Sequence, residues 1–147
     1  MNQTKRVVMF KELPEAYRAM QGLESYIRQS GLDHRLLELI KIRASQMNGC
    51  AFCINMHTKD ARNNGETEQR IYALSAWRDT NYFTPEERAV LQLTEAITFI
   101  SERHVPDEVY EEAAKYFDSV AIGNIIMAAV TINAWNRIAI STGMMPE

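Results

Sequence analysis

The chemistry-bearing residues of this chain cluster in one short segment. Both of its cysteines fall in a single C-x-x-C motif, Cys50 and Cys53, and His57 follows four residues later. On a helix these three side chains share one face, with successive Cβ atoms roughly 5–6 Å apart. That separation lets the two sulfurs close a disulfide without a large backbone movement.

The spacing supplies the parts of a thiol redox site. Free N–H groups and the helix dipole favour an anion at a helix start, which stabilises a thiolate, the reactive form of cysteine. His57 lies one turn after Cys53 and can accept its proton, while Cys50 provides a second thiol. Glu38 lies twelve residues before Cys50. An Asn48-Gly49 turn between the two segments lets Glu38 fold back toward His57 and orient it.

Two other interpretations fit the same residues. Cys50, Cys53 and His57, with Glu38 as a fourth ligand, could bind zinc, although three ligands on one helical face make a poor tetrahedron. The cysteines could also be two buried apolar thiols. Covalent haem attachment needs a histidine directly after the second cysteine, and that position is Ile54.

Composition narrows the class of protein. The 147 residues fit one domain, 1–147. Hydrophobic residues make up 46% of the chain and charged residues 24%. Because the net charge is −3 and no basic stripe is present, nucleic acid is not an expected partner. Two cysteines are too few for a disulfide-stabilised secreted domain. The apolar run at residues 7–10 is too short for a signal peptide. We therefore expect a cytoplasmic protein.

Helix signals dominate the chain, and no segment alternates with period two. Asp33 is a good N-cap, and Thr84, Pro85 and Glu87 predict a capping box with proline at the first helical position. The predicted helices span residues 14–30, 33–48, 50–63, 67–77, 84–102, 106–117 and 119–142. The expected fold is an all-α, single-domain bundle of about six or seven helices.

The last predicted helix is apolar on nearly all sides. Its most apolar run, residues 120–132, is interrupted by Gly123, Asn124 and Thr131 and is shorter than the roughly 20 residues that span a bilayer. We therefore predict a buried helix and no membrane partner. Because the domain is small, part of this helix should be covered by another subunit, which predicts a homo-oligomer.

The segment around the cysteines resembles the AhpD-type alkylhydroperoxidase branch of the carboxymuconolactone decarboxylase-like superfamily. The similarity is carried by Glu38, the C-x-x-C motif and His57, and also by the segments LELIKIRAS (37–45), HTKDAR (57–62) and INAWNR (132–137). It covers most of the chain and is strongest over residues 36–100.

The resemblance implies a role for each residue. Cys53 matches the cysteine that attacks the peroxide, Cys50 the resolving cysteine, and His57 and Glu38 the proton-relay residues. It also implies an all-α trimer or hexamer and an external dithiol reductant, either lipoyl-bearing or thioredoxin-like. Some members carry a second histidine where this chain has Phe52, and the lactone-decarboxylating branch generally lacks the cysteine pair.

The sequence thus predicts a thiol-dependent peroxidase that cycles Cys50 and Cys53 between dithiol and disulfide, without a bound cofactor or metal. Two alternatives stay open: a disulfide oxidoreductase acting on protein thiols, and a non-catalytic zinc or thiol regulatory module.

Overall fold

A computed structural model describes residues 4–147, and in this range the chain is helical and contains no β-strand. The domain predicted from residue 1 therefore has its first three residues outside the described range. Nine α-helices and one 3-10 helix follow one another along residues 4–147: α1 Met9–Glu12, α2 Pro14–Arg28, α3 His34–Asn48, α4 Ala51–Asn63, α5 Glu68–Ala73, the 3-10 helix Leu74–Asp79, α6 Pro85–Thr98, α7 Ile100–Arg103, α8 Asp107–Ala114 and α9 Ser119–Thr142.

The strongest start signals are confirmed. Asp33 caps α3 by accepting a hydrogen bond from the backbone N–H of Arg35. Thr84 and Glu87 form the predicted capping box at the start of α6. These caps satisfy backbone donors that have no partner inside the helix, so local sequence alone is enough to place them.

Helix interiors and weak ends were predicted less well. The predicted helix 67–77 is divided into α5 and a 3-10 helix with a kink at Ala76. The predicted helix 84–102 breaks at Phe99, whose φ of −100° and ψ of 44° are not helical. The short helix α1 was missed. These differences explain why nine α-helices replace the expected six or seven.

Helix α3 forms the centre of the bundle and packs against α4, α6 and α9. Its buried residues include Leu37, Leu39, Ile40 and Ile42, which project to several sides. One core cluster joins α3 to α6, α8 and α9, and a second joins α3 to α4, α6 and the 3-10 helix. The helix that carries Glu38 is therefore held on several sides.

Helix α9 has 24 residues and, by length and composition, could cross a bilayer. The expectation that its apolar run is too short was therefore wrong. The helix nevertheless lies in the core, where Ile122, Ile125 and Ile132 are buried. Only 44% of its most apolar window is buried, so it also presents apolar surface to the outside.

Candidate active site

The two cysteines are joined in a disulfide at the start of α4, with their Cα atoms 5.3 Å apart. Cys50 is the N-cap residue and Cys53 lies in the first turn. Both are buried, with 1% and 3% of their surface exposed. Ala139 of α9 and Phe52 pack on them, which shields the disulfide from bulk water.

Backbone geometry places Cys50 at this helix start. Gly49 adopts a left-handed conformation with φ of 68°, which glycine reaches without steric cost. The chain then turns so that the N–H of Cys50 donates to the carbonyl of Ser45. The N–H of Cys53 donates to the Cys50 sulfur at 3.3 Å. A helix N-terminus thus faces Cys50 and would stabilise its thiolate in the reduced protein.

A buried asparagine of α9 fixes the turn that precedes the cysteines. Asn136 is fully buried; its side-chain oxygen accepts from Asn48 at 2.9 Å, and its nitrogen donates to the Ser45 hydroxyl at 3.0 Å. Asn133 also accepts from Asn48. These bonds tie α9 to the last turn of α3, directly before the C-x-x-C motif.

His57 and Glu38 approach each other across the α3–α4 interface. The imidazole Nδ1 lies 3.6 Å from Glu38 Oε2 and 4.0 Å from Asp60 Oδ2. Glu38 and His57 are each 9% exposed. Glu38 Oε2 and His57 Nδ1 are buried atoms without a hydrogen-bond partner among residues 4–147. The expected Glu38–His57 pair is therefore present, but the distance between Nδ1 and Oε2 is slightly longer than a hydrogen bond.

The imidazole has two distinct nitrogens. Since Nδ1 faces the carboxylates of Glu38 and Asp60, Nε2 is the nitrogen that remains for another partner. Within the described part of the chain, no hydrogen bond joins His57 to either sulfur of the disulfide. The arrangement therefore resembles an oxidised resting state, in which Cys53 has no proton to give.

A partly buried ion pair lies next to Glu38. The ammonium of Lys41 lies 2.6 Å from Glu24 Oε1 and 4.0 Å from Glu38 Oε1. Burial by itself would raise the pKa of Glu24, but the hydrogen bond and charge of Lys41 hold that pKa below its ordinary value. Sequence reasoning missed Glu24 and Lys41, because helical glutamate and lysine residues usually face water.

Two surface depressions of about 500 Å³ occur in the described residues. One lies between α4 and α5 and includes Thr58 and Tyr72. The other includes Arg43 and Phe99. Neither is lined by the cysteines, His57 or Glu38, so access to the sulfurs does not run through either depression.

The disulfide also bears on metal binding. In this form neither sulfur is a thiolate, so the alternative zinc set of Cys50, Cys53, His57 and Glu38 is not available. Glu38, His57 and Asp60 instead each offer a ligand atom, and these atoms lie within 4.8 Å of one another.

An all-helical bundle with a C-x-x-C disulfide at a helix start, and a histidine–glutamate pair on the adjoining helices, defines an AhpD-like protein. The chain belongs to the carboxymuconolactone decarboxylase family, whose model matches residues 14–96. That range contains Glu38, Cys50, Cys53 and His57.

Similar proteins agree with this assignment. The Bacillus subtilis protein YdfG, whose function is uncharacterised, is 47% identical over 95% of both chains. A solved structure from Agrobacterium tumefaciens, described as a protein of unknown function and a candidate antioxidant defence protein AhpD, is 42% identical. Its TM-score is 0.95 over 98% of this chain and 99% of that one. The debrominase Bmp8 shares the fold with a TM-score of 0.81 over 94% of this chain and 74% of its own, at 21% identity.

Proposed function

We propose that this protein is a thiol-dependent peroxidase that reduces peroxides through Cys50 and Cys53. The observation that carries the proposal is the disulfide at the start of α4, followed one turn later on the same helix by a buried imidazole that faces a buried carboxylate. Such a disulfide is the oxidised half of a dithiol cycle.

The cycle has three steps: oxidation of Cys53 by the peroxide, formation of the disulfide, and its reduction by an external dithiol. His57, oriented by Glu38, takes the proton from Cys53, and the thiolate attacks the outer oxygen of the peroxide. The O–O bond breaks, the alcohol or water leaves with the proton that His57 had taken from Cys53, and Cys53 becomes a sulfenic acid. The Cys50 thiol then displaces that hydroxyl as water and forms the disulfide.

An external dithiol returns the site to its reduced form. A thiolate of the reductant attacks one sulfur of the disulfide and the other sulfur leaves as a thiolate. The helix N-terminus faces Cys50, whose sulfur accepts the N–H of Cys53, which makes Cys50 the better leaving group and Cys53 the sulfur attacked. A lipoyl-bearing or thioredoxin-like protein has the required chemistry, and we propose the cytoplasm as the compartment.

Substituting each cysteine separately tests the assignment. Cys53→Ser should abolish peroxide consumption with dithiothreitol as reductant, because the attacking sulfur is lost. Cys50→Ser should keep the first step and accumulate a sulfenic acid at Cys53, detectable by dimedone labelling. Reversed results would assign the attack to Cys50, and unchanged turnover in both variants would reject the mechanism.

The intermediate can also be trapped. One equivalent of peroxide added to the reduced wild-type protein should lower its intact mass by two hydrogens, and peptide mapping should place the bridge between Cys50 and Cys53. Retention of two free thiols after complete consumption of the peroxide would contradict the cycle.

A second candidate is a protein disulfide oxidoreductase. It is favoured by one observation, that the N-cap position of Cys50 would stabilise its thiolate, a suitable form for attack on disulfides. Comparing the rates of the reduced protein with cumene hydroperoxide and with a model disulfide separates the two activities. A zinc or thiol regulatory module would instead turn over neither substrate.

We further propose a homo-oligomer, a trimer or hexamer. Helix α9 leaves Val120, Val130 and Ile140 exposed at 72%, 43% and 46%, and a second subunit covering them would remove apolar surface from water. Light scattering at micromolar concentration should give a mass above that of one chain, and a monomer would contradict the proposal.

A further inference from the structure

Three ligand atoms from α3 and α4 converge, and two of them have no hydrogen-bond partner in the described residues. Glu38 Oε2 and His57 Nδ1 are buried and face each other at 3.6 Å, just beyond hydrogen-bond length, and neither forms a hydrogen bond with any other group in the described residues. Asp60, one turn after His57 on α4, adds a half-exposed carboxylate. Buried polar atoms in a folded protein are normally satisfied, so an unpaired donor or acceptor suggests a bound water or ion.

The distances suit a small divalent cation. Zinc bonds of about 2.0–2.1 Å to nitrogen and oxygen in a tetrahedron place the ligand atoms roughly 3.3 Å apart. Here Nδ1 of His57 is 3.6 Å from the Glu38 oxygen and 4.0 Å from the Asp60 oxygen. Side-chain rotations alone can close differences of this size, because the carboxylate torsions are soft.

The local charge favours the same ligand. Glu24, Glu38 and Asp60 carry three negative charges and Lys41 one positive charge, and Lys41 binds Glu24 directly. With a neutral imidazole this cluster has a net charge of −2. A divalent cation would neutralise it in a partly buried site, where an unbalanced charge is costly.

We propose that Glu38, His57 and Asp60 form a site for one Zn²⁺ ion. The imidazole nitrogen favours zinc over magnesium and calcium, which prefer oxygen ligands. Three protein ligands leave a position for water at the exposed side of Asp60. The site shares no sulfur with the C-x-x-C motif, so it can be occupied while the disulfide is closed. Zinc binding does not depend on the proposed peroxidase activity. Only an effect of the bound zinc on peroxide turnover rests on that proposal.

The test uses the oxidised protein, in which no thiol can bind the metal. Calorimetric titration with ZnCl₂ should show one ion per chain. Glu38→Gln and Asp60→Asn should each weaken binding at least about tenfold, since even indirect supports of a metal site contribute 10–100-fold. Asp79→Asn removes the same charge from an exposed position and should leave binding unchanged. Ring resonances of His57 should shift on saturation.

Three results would overturn the proposal. They are absence of binding to the oxidised wild-type protein, equal affinity in the two ligand variants and the control, and binding that occurs only after the thiols are reduced. The test measures zinc binding to the oxidised protein and not peroxide turnover. Its result therefore stays informative even if the protein is not a peroxidase.

Discussion

Replacing Glu38 by glutamine tests whether the carboxylate assists the first chemical step. When His57 accepts the proton of Cys53 it becomes an imidazolium, and Glu38 Oε2 lies 3.6 Å from its Nδ1. Glutamine keeps nearly the same shape and an acceptor oxygen but removes the charge. The variant should therefore slow thiolate formation while leaving the fold intact.

The size of the effect follows from that distance. Two unit charges 3.6 Å apart attract by about 5 kcal/mol at an effective dielectric constant near 20, which is an upper limit. Lys41 lies 4.0 Å from Glu38 and already compensates part of the carboxylate charge. The side-chain dipole of glutamine would also retain part of the attraction to the imidazolium. A charge-assisted hydrogen bond contributes about 1.5–3 kcal/mol, so the rate of Cys53 oxidation should fall about 10- to 150-fold.

The assay is a single turnover. Reduced protein is mixed with excess cumene hydroperoxide, the remaining thiols are alkylated with maleimide at timed intervals, and the products are counted by intact mass. Glu86→Gln removes a charge from an exposed site on α6 and serves as the control. A Glu38→Gln rate within a factor of two of wild type, with an unchanged melting temperature, would refute the role assigned to Glu38.

Three further predictions concern stability, pH and metal inhibition. Asn136→Ala removes two hydrogen bonds of a buried side chain, one from Asn48 and one to the Ser45 hydroxyl, while Asn48 keeps its bond to Asn133 and Ser45 its bond to the Lys41 carbonyl. The free energy of unfolding should fall by about 1–3 kcal/mol, measured by urea denaturation; a loss below about 0.5 kcal/mol, on the order of a surface substitution, would contradict the buried network. Because the folded-state pKa of Glu24 is depressed below 4.5, its contribution is present above that pH and is lost as the pH falls toward the folded value. The urea midpoint should therefore drop in acid, and less so in Lys41→Gln; an equal drop in both proteins would show that this ion pair is not responsible. Zinc bound to Nδ1 keeps the ring proton of a neutral imidazole on Nε2, so Nε2 can no longer accept the proton of Cys53. Saturating Zn²⁺ should therefore reduce peroxide turnover at least about tenfold and EDTA should restore it, whereas full activity with the metal bound would show that turnover does not need Nε2 as the base.

The sequence determined the features that depend on near neighbours. Asp33 and Thr84 mark helix starts because a side-chain oxygen satisfies backbone donors two or three residues away. Cys50, Cys53 and His57 could be placed on one face because helical spacing fixes that geometry. Both inferences need only a few residues of chain, and the structure confirms the two caps and the approach of the two sulfurs.

Tertiary contacts decided the rest. The predicted helix 67–77 changes into a 3-10 helix because Trp77 is bound by two residues of α6. Its indole N–H donates to Glu95, and its backbone carbonyl accepts from Arg88. Such bonds outweigh local helix propensity, and no local pattern reports them.

The surroundings of the site depend on the same long-range packing. The sequence predicted that Glu38 lies near His57. It did not predict that Glu38 Oε2 and His57 Nδ1 lack hydrogen bonds, or that a Lys41–Glu24 ion pair lies next to them. These features arise from the packing of α2, α3 and α4. Asn136 reaches the turn before Cys50 from a helix almost 90 residues further along the chain. The sequence therefore identified the groups that we propose to react, whereas burial and charge in the folded bundle set the environment around them.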